Sequence, residues 1–205
     1  MPAKPRHFIW DFDGTLFDSY PHIATCFCRV MHDVGIAVNY ADADATLRRS
    51  FLETKQHYRV PDAVFATFQA AHVKDFAPHI CPYPAARTTL TALEATGADH
   101  YIYTHRDSES LTYYLSKFGM QGLFVDAICA SDGFPSKPAP DALLALCARH
   151  HLLPADCIMV GDREIDVGAG RAAGMPTARF AEFGSAPETA ADVTVTSLLE
   201  LLALV

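Results

Sequence analysis

Short apolar runs of strand length recur along this chain, each followed by a polar loop and then a helical pattern: Phe8 to Trp10, Tyr101 to Tyr103, Ala127 to Ala130 and Ile158 to Val160. Runs that are apolar on both faces suit the buried strands of a parallel sheet. The stretches Glu109 to Phe118, Pro140 to His150 and Ile165 to Ala173 supply helices to cover it. Thr177 to Phe180 predicts a fifth strand, and the alternating Val193-Thr194-Val195 predicts an edge strand before a last helix. The alternation of strand and helix makes this an α/β protein with a central parallel sheet. Open sheets of that kind bind ligands outside the carboxyl ends of their strands.

Between the first and second strands lies far more chain than one crossover helix needs. Phe17 to Val34, Ala45 to Val60 and Pro61 to Phe76 all read as helices, with Gly35 as a stop after the first and Pro61 in the first turn of the third. Pro78-His79-Ile80-Cys81-Pro82-Tyr83-Pro84 then reads as a stiff return segment. The expected organisation is an α/β core from residues 1–16 and 81–205 carrying a small inserted α-helical cap, residues 17–80.

Composition narrows the ligand. With 16 Lys and Arg against 24 Asp and Glu, the 205-residue chain carries a formal charge of −8, which argues against a nucleic-acid backbone or an anionic membrane as the main partner. A small ligand is expected, and an anionic one would need local positive charge or a bound cation. The six cysteines lie among apolar neighbours without a framework spacing and are expected to be reduced. The apolar run behind the basic Met1-to-His7 segment ends at Asp11, too soon for a signal-peptide core, and the apolar C-terminal run from Leu198 to Val205 is interrupted by Glu200. A cytoplasmic protein is expected.

Four segments at strand ends carry the candidate chemistry. Asp11-Phe12-Asp13-Gly14-Thr15 places two carboxylates on a sharp turn, a pair that divides labour naturally: one attacks phosphorus while the other gives and takes a proton. Gly14 lets the backbone fold tightly, so that N–H groups around Phe12 and Gly14 can point at phosphoryl oxygens. A calcium loop would want other residues at Thr15 and Leu16. Thr104 ends the second strand with a hydroxyl to offer. Lys137, in a loop stiffened by Pro138 and Pro140, would neutralise charge shared by a phosphoryl group and Asp11. Asp162 and Asp166 follow the fourth strand, and so many carboxylates near Asp11 call for a hard divalent cation such as Mg²⁺. Asp162 is the better direct ligand and a possible helix cap. Asp166, one turn later, would hold a metal-bound water or orient Lys137. Gly168 to Gly174 looks like a dinucleotide loop but lies within a helical pattern, where close helix packing explains it better.

The ordered set Asp11-Phe12-Asp13-Gly14-Thr15, Thr104, Lys137-Pro138-Ala139-Pro140-Asp141 and Gly161-Asp162 through Asp166 resembles the haloacid dehalogenase-like superfamily, particularly its phosphoglycolate phosphatase-like branch. The resemblance implies a Rossmann-like core with a helical cap after the first strand, and a Mg²⁺-dependent phosphatase working through an aspartyl-phosphate on a small phosphorylated metabolite. It makes Asp11 the nucleophile and a metal ligand, and Asp13 the acid/base whose backbone carbonyl also meets the metal. Thr104 and Lys137 would bind phosphate, and Asp162 would complete the metal site. An aspartate at position 13 speaks against a dehalogenase, since displacing halide needs no leaving-group proton. A phosphosugar mutase and a catalytically silent binding protein remain as alternatives. His105 and Arg106 stand where many relatives carry a small residue or Asn; they either line the substrate entrance or are polar loop residues without substrate contact.

Overall fold

In the computed structural model, which describes residues 4–74, 79–182 and 189–205, the apolar run Phe8-Ile9-Trp10 is completely enclosed and becomes the centre of a sheet. Asp75 and Phe76 at the end of the expected third helix, Pro78 of the return segment and Met1 to Ala3 of the basic N-terminus lie outside the described residues. In chain order the elements are β1 (His7–Trp10), β2 (Phe17–Asp18), α1 (Tyr20–Asp33), α2 (Tyr40–Arg49), α3 (Phe51–His57), α4 (Asp62–Lys74), β3 (Cys81–Pro82), α5 (Ala86–Glu94), β4 (Asp99–Tyr103), α6 (Ser108–Lys117), β5 (Asp126–Ile128), α7 (Asp141–His150), β6 (Cys157–Gly161), α8 (Glu164–Ala172), β7 (Thr177–Phe180) and β8 (Val193–Val195). The chain divides into two compact units, Met1–Phe17 with Pro82–Val205 and Asp18–Cys81, one residue later at each crossing than the expected 17–80.

The larger unit is an α/β fold built on a six-stranded parallel sheet of order β5-β4-β1-β6-β7-β8. Ile9 pairs with Tyr101 on one side and Met159 on the other, and this register brings the ends of β1, β4 and β6 to one edge of the sheet. Asp11, Thr104 and Asp162 therefore emerge there together. One face of the sheet packs Ile9, Tyr101 and Met159 against Leu143 and Leu146 of α7 and Ala169 of α8. At Gly170 a Cβ would sit 2.6 Å from Thr177 Cγ2 and 2.8 Å from Met159 Cβ, so the glycine-rich run serves close helix–sheet packing.

The smaller unit packs α1 to α4 around Phe27, Phe68, Met31 and Leu47. It departs from the sequence reading in two places. Phe17 belongs to β2, which pairs with β3, and α1 begins only at Tyr20 with Pro21 in its first turn. The single helix expected from Ala45 to Val60 is two, because Ser50 is extended (φ −167°, ψ 130°) and its hydroxyl accepts the N–H of Glu53, capping α3.

Three further differences concern the larger unit. α5 was not anticipated, although Ala86, Thr89, Leu90 and Leu93, its buried residues, follow helical spacing. The third strand stops at Ile128, and Ala130–Asp132 forms a 3₁₀ turn. The last helix, Leu198–Leu204, is also 3₁₀. All six cysteines are free thiols, and no helix among the described residues is long and apolar enough to cross a membrane.

Candidate active site

The loop after β1 is wound tightly. Asp11 N donates to Val160 O at 2.8 Å, extending the ladder to the strand end, and the carbonyl of Phe12 accepts from Leu16 N (3.1 Å) and Phe17 N (3.0 Å). Gly14 takes φ +81°, a region open to glycine at little cost. Its own N–H is spent on Phe17 O at 2.8 Å, so Gly14 shapes the turn and the phosphate contact expected of its N–H is not available. The Phe12 ring is buried and stacked on Phe17 at 4.2 Å, which leaves only its backbone to face a ligand.

Lys137 does not lie in solvent. Its side chain is completely buried, its Nζ donates to Asp11 Oδ1 at 2.6 Å and to Asp166 Oδ1 at 2.7 Å, and the ammonium lies 4.6 Å from the centre of the Tyr103 ring. The second oxygen of Asp166 accepts the N–H of Arg163 at 3.1 Å, closing the first turn of α8. This is the cap of α8, so the capping role suggested for Asp162 belongs to Arg163 and Asp166. Asp166 thus has both oxygens engaged, one with Lys137 and one with the N–H of Arg163. Gly161 is required beside it, because a Cβ there would overlap the Asp166 side chain.

Asp162 sits at the mouth of this cluster. Its Oδ1 accepts from Thr15 Oγ1 at 3.4 Å, and its carbonyl accepts from Nε of the buried Arg179 at 3.2 Å, while Arg179 also pairs with Glu164. One carboxylate oxygen from each of Asp11, Asp162 and Asp166 falls within 4.8 Å of the others. Asp11 Oδ2 is buried and has no hydrogen-bond partner among the described residues. Burial, with the carboxylates of Asp166 and Asp162 nearby, outweighs Lys137 and pushes Asp11 up to about 7. Lys137 is also buried, yet Asp11 and Asp166 hold its ammonium above the ordinary lysine value. Asp166, despite burial, is held below the ordinary carboxylate value by Lys137 and Arg163. The cluster is short of positive charge.

Asp13 belongs to a second constellation. Arg106 donates to Asp13 Oδ1 through Nε at 3.0 Å and through a terminal nitrogen at 2.7 Å, and its other terminal nitrogen reaches Ser110 Oγ at 3.0 Å. The guanidinium is fully buried, 5.2 Å from the Phe12 ring centre and 5.1 Å from that of Tyr114. Arg106, expected either at a substrate entrance or in an uninvolved polar loop, does neither: it is enclosed on the acid/base candidate. Thr104 is buried at the end of β4, where its hydroxyl accepts the N–H of Arg106 at 3.1 Å. His105 lies between them, held down at about 4 by burial and by the charges of Lys137 and Arg163, and its buried Nε2 has no hydrogen-bond partner among the described residues.

Sequence reasoning missed Tyr103, Ser110, Tyr114 and Arg179. Arg106 lies just ahead of Asp107, the cap of α6, so helical spacing did not announce its contact with Ser110. Nothing in the sequence marks Arg179, which reaches the Asp162 loop only because β7 lies beside β6.

Known proteins resemble this chain over most of its length. A family model described as Haloacid dehalogenase-like hydrolase matches residues 8–180. A protein of Pseudomonas putida named phosphoglycolate phosphatase is 30% identical over 185 residues, covering 83% of this chain and 67% of that protein. One of the same name from Chromobacterium violaceum is 27% identical, over 94% of this chain and 92% of its own. Among solved structures, a HAD-superfamily hydrolase from Geobacter sulfurreducens superposes with a TM-score of 0.72 at 21% identity, covering 98% of this chain and 100% of that one. A Lactobacillus plantarum protein reaches a TM-score of 0.83, also at 21% identity, over 99% of this chain and 100% of its own. At such identities the structures speak for the fold alone.

Proposed function

The chain belongs to the haloacid dehalogenase-like hydrolases, and from that premise we propose that it is a phosphatase hydrolysing a small phosphate monoester through an aspartyl-phosphate on Asp11. The observation that carries this reading is the Asp11 carboxylate itself: one oxygen is fixed by Lys137 at 2.6 Å, the other is buried without a hydrogen-bond partner, and Asp162 stands beside it. Such an oxygen is costly to bury, and with the carboxylates of Asp162 and Asp166 beside it a cation or an electrophilic phosphorus brought there would offset that cost.

The Asp11 carboxylate attacks phosphorus in line with the ester oxygen, and Asp13 protonates that oxygen as the P–O bond breaks. Water then attacks the phosphorus of the aspartyl-phosphate. Asp13 takes its proton, phosphate leaves, and Asp11 regains its electron pair. Lys137 compensates the charge that Asp11 and the phosphoryl oxygens share. The Thr104 hydroxyl, whose oxygen already accepts from Arg106 N, has its proton to give to a phosphoryl oxygen.

The residues present fit Mg²⁺: the donors are all carboxylate oxygens, and three carboxylates outnumber the two cations near them, Lys137 and Arg163. Asp11 and Asp162 would hold the ion, with the backbone carbonyl of Asp13. When bound, it would neutralise the carboxylates and polarise the phosphoryl group. Six free thiols suit a cytoplasmic enzyme.

The test is release of inorganic phosphate by the purified protein from a panel of metabolite monoesters, with Mg²⁺ and after chelation. Phosphoglycolate comes first, because the Pseudomonas putida and Chromobacterium violaceum relatives are named for it. Mg²⁺-dependent release that Asp11→Asn abolishes is the expected result. Isomerised sugar phosphate without phosphate release would mark a mutase, and no reaction with any ester would sink the reading.

A further inference from the structure

We propose that Arg106 is a positioning residue for proton transfer: it grips Asp13 by Oδ1, sets the plane of the carboxylate, and so assigns the proton to Oδ2. The inference rests on the phosphatase reading above and deepens it. All three guanidinium nitrogens are engaged, two on the same carboxylate oxygen at 3.0 and 2.7 Å and the third on Ser110 Oγ at 3.0 Å. Phe12 and Tyr114 flank the group, with ring centres 5.2 and 5.1 Å away. A cation so enclosed is not a receptor for substrate. Its flat fork and its aromatic walls restrict rotation, which a lysine in the same place would not reproduce.

The backbone carries the same constraint to the phosphate site. The N–H of Arg106 is held by Thr104 Oγ1 at 3.1 Å, and its carbonyl accepts the N–H of Ala130 at 2.9 Å. Asp107, the next residue, caps α6 by accepting the N–H of Ser110 at 2.7 Å. One short loop thus carries the Thr104 hydroxyl and the group that aims Asp13, and it is pinned at both ends. In the first half-reaction the Oδ2 proton passes to the ester oxygen as that oxygen takes the electron pair of the breaking P–O bond. In the second, Oδ2 takes a proton from the water whose oxygen bonds to phosphorus. Misplacing Oδ2 damages both transfers and leaves the attack by Asp11 untouched.

Leaving groups separate these effects. An alkyl phosphate needs its departing oxygen protonated, whereas the nitrophenolate of p-nitrophenyl phosphate departs readily without a proton. The experiment measures kcat/KM, which reports the first half-reaction alone, for both esters in saturating Mg²⁺, for the wild type, Arg106→Met and Arg106→Lys, with thermal melts of each protein. The expected result is a loss of kcat/KM on the alkyl ester on the order of 10²-fold in Arg106→Met, a loss several-fold smaller on the nitrophenyl ester, and incomplete rescue in Arg106→Lys. Equal losses of kcat/KM on the two esters, full rescue by lysine, or no loss overturns the inference alone. Where Arg106→Met does not fold, the ratio in Arg106→Lys decides by the same criterion. A wild type that releases phosphate from neither ester overturns the phosphatase reading and this inference with it.

Discussion

Two buried ion-pair systems lie at the same edge of the sheet, and they differ in charge. Around Lys137, the three carboxylates of Asp11, Asp162 and Asp166 are met by two cations, the Lys137 ammonium and the nearby Arg163, and among the described residues Asp11 Oδ2 is left without a hydrogen-bond partner. Around Arg106, one guanidinium meets one carboxylate and a serine hydroxyl, and every guanidinium nitrogen has an acceptor. Burial penalises an unbalanced cluster far more than a neutral pair. The first arrangement is therefore one that a ligand completes, and the second is one that holds a side chain in place. A buried charge alone does not mark a reactive residue; what matters is whether its neighbours already compensate it.

Substitutions that remove one partner from each system should have unequal effects. Asp11→Asn removes the proposed nucleophile, and turnover of any monoester should fall on the order of 10⁴-fold or more, as a phosphate-release assay would register. Asp13→Asn leaves the nucleophile in place, so the expected loss is about 10² to 10⁴-fold, the range of general acid/base catalysis. Equal losses in the two variants would erase the distinction between the systems. Lys137→Met should act on stability as well: leaving Asp11 and Asp166 buried without their cation should cost about 3–5 kcal/mol in chemical denaturation. Added Mg²⁺ should recover part of that loss, and recovery by a monovalent salt to the same extent would argue against a divalent site.

The charged cluster was legible in sequence because two of its members, Asp11 and Asp162, directly follow strands, while Lys137 stands in a proline-stiffened loop and Asp166 in the first turn of α8. Asp11 after Trp10 and Asp162 after Gly161 sit at the ends of apolar runs, and parallel register aligns such ends. The Asp13–Arg106 pair was not legible, because 93 residues separate its members and only the crossover from β1 to β4 brings them together. The same holds for Arg179 on Asp162. Breaks in helices were hidden for a different reason: at Ser50 a local side-chain cap overrode a continuous apolar pattern. α5, which follows the return segment, was missed although its buried residues are regularly spaced, and no physical feature of the segment hid it.

Acidity offers a further separation of the two systems. In the metal-free protein Asp11 is raised from the ordinary 3.8 to about 7, so below pH 7 it carries a proton that a cation must displace. The sign follows from the direction of the shift: a raised carboxylate is neutral over more of the acid range, and binding of Mg²⁺ should weaken as pH falls through 7. Calorimetry in buffers of different ionisation enthalpy should show close to one proton released per ion below pH 7 and none well above it. Apparent affinity should drop roughly tenfold per pH unit between 7 and 5. An affinity flat across that interval would show that Asp11 is already ionised without metal, and the charge imbalance that sets it apart from the Arg106 pair would be lost.

The smallest effect belongs to Ser110, and it tests how complete the neutral pair is. Ser110 is buried in the first turn of α6, and its hydroxyl accepts the third guanidinium nitrogen at 3.0 Å. Ser110→Ala removes that acceptor without opening a large cavity, leaving a buried donor unsatisfied at a cost of about 1–3 kcal/mol. The bonds to Asp13 remain, so the carboxylate keeps its orientation. Thermal melting should therefore register the change clearly, while turnover of a poor-leaving-group ester falls only a few-fold. If Ser110→Ala instead slowed that ester as much as Arg106→Met does, the serine would be setting the guanidinium's position, and orientation of Asp13 would depend on the whole network and not on the ion pair.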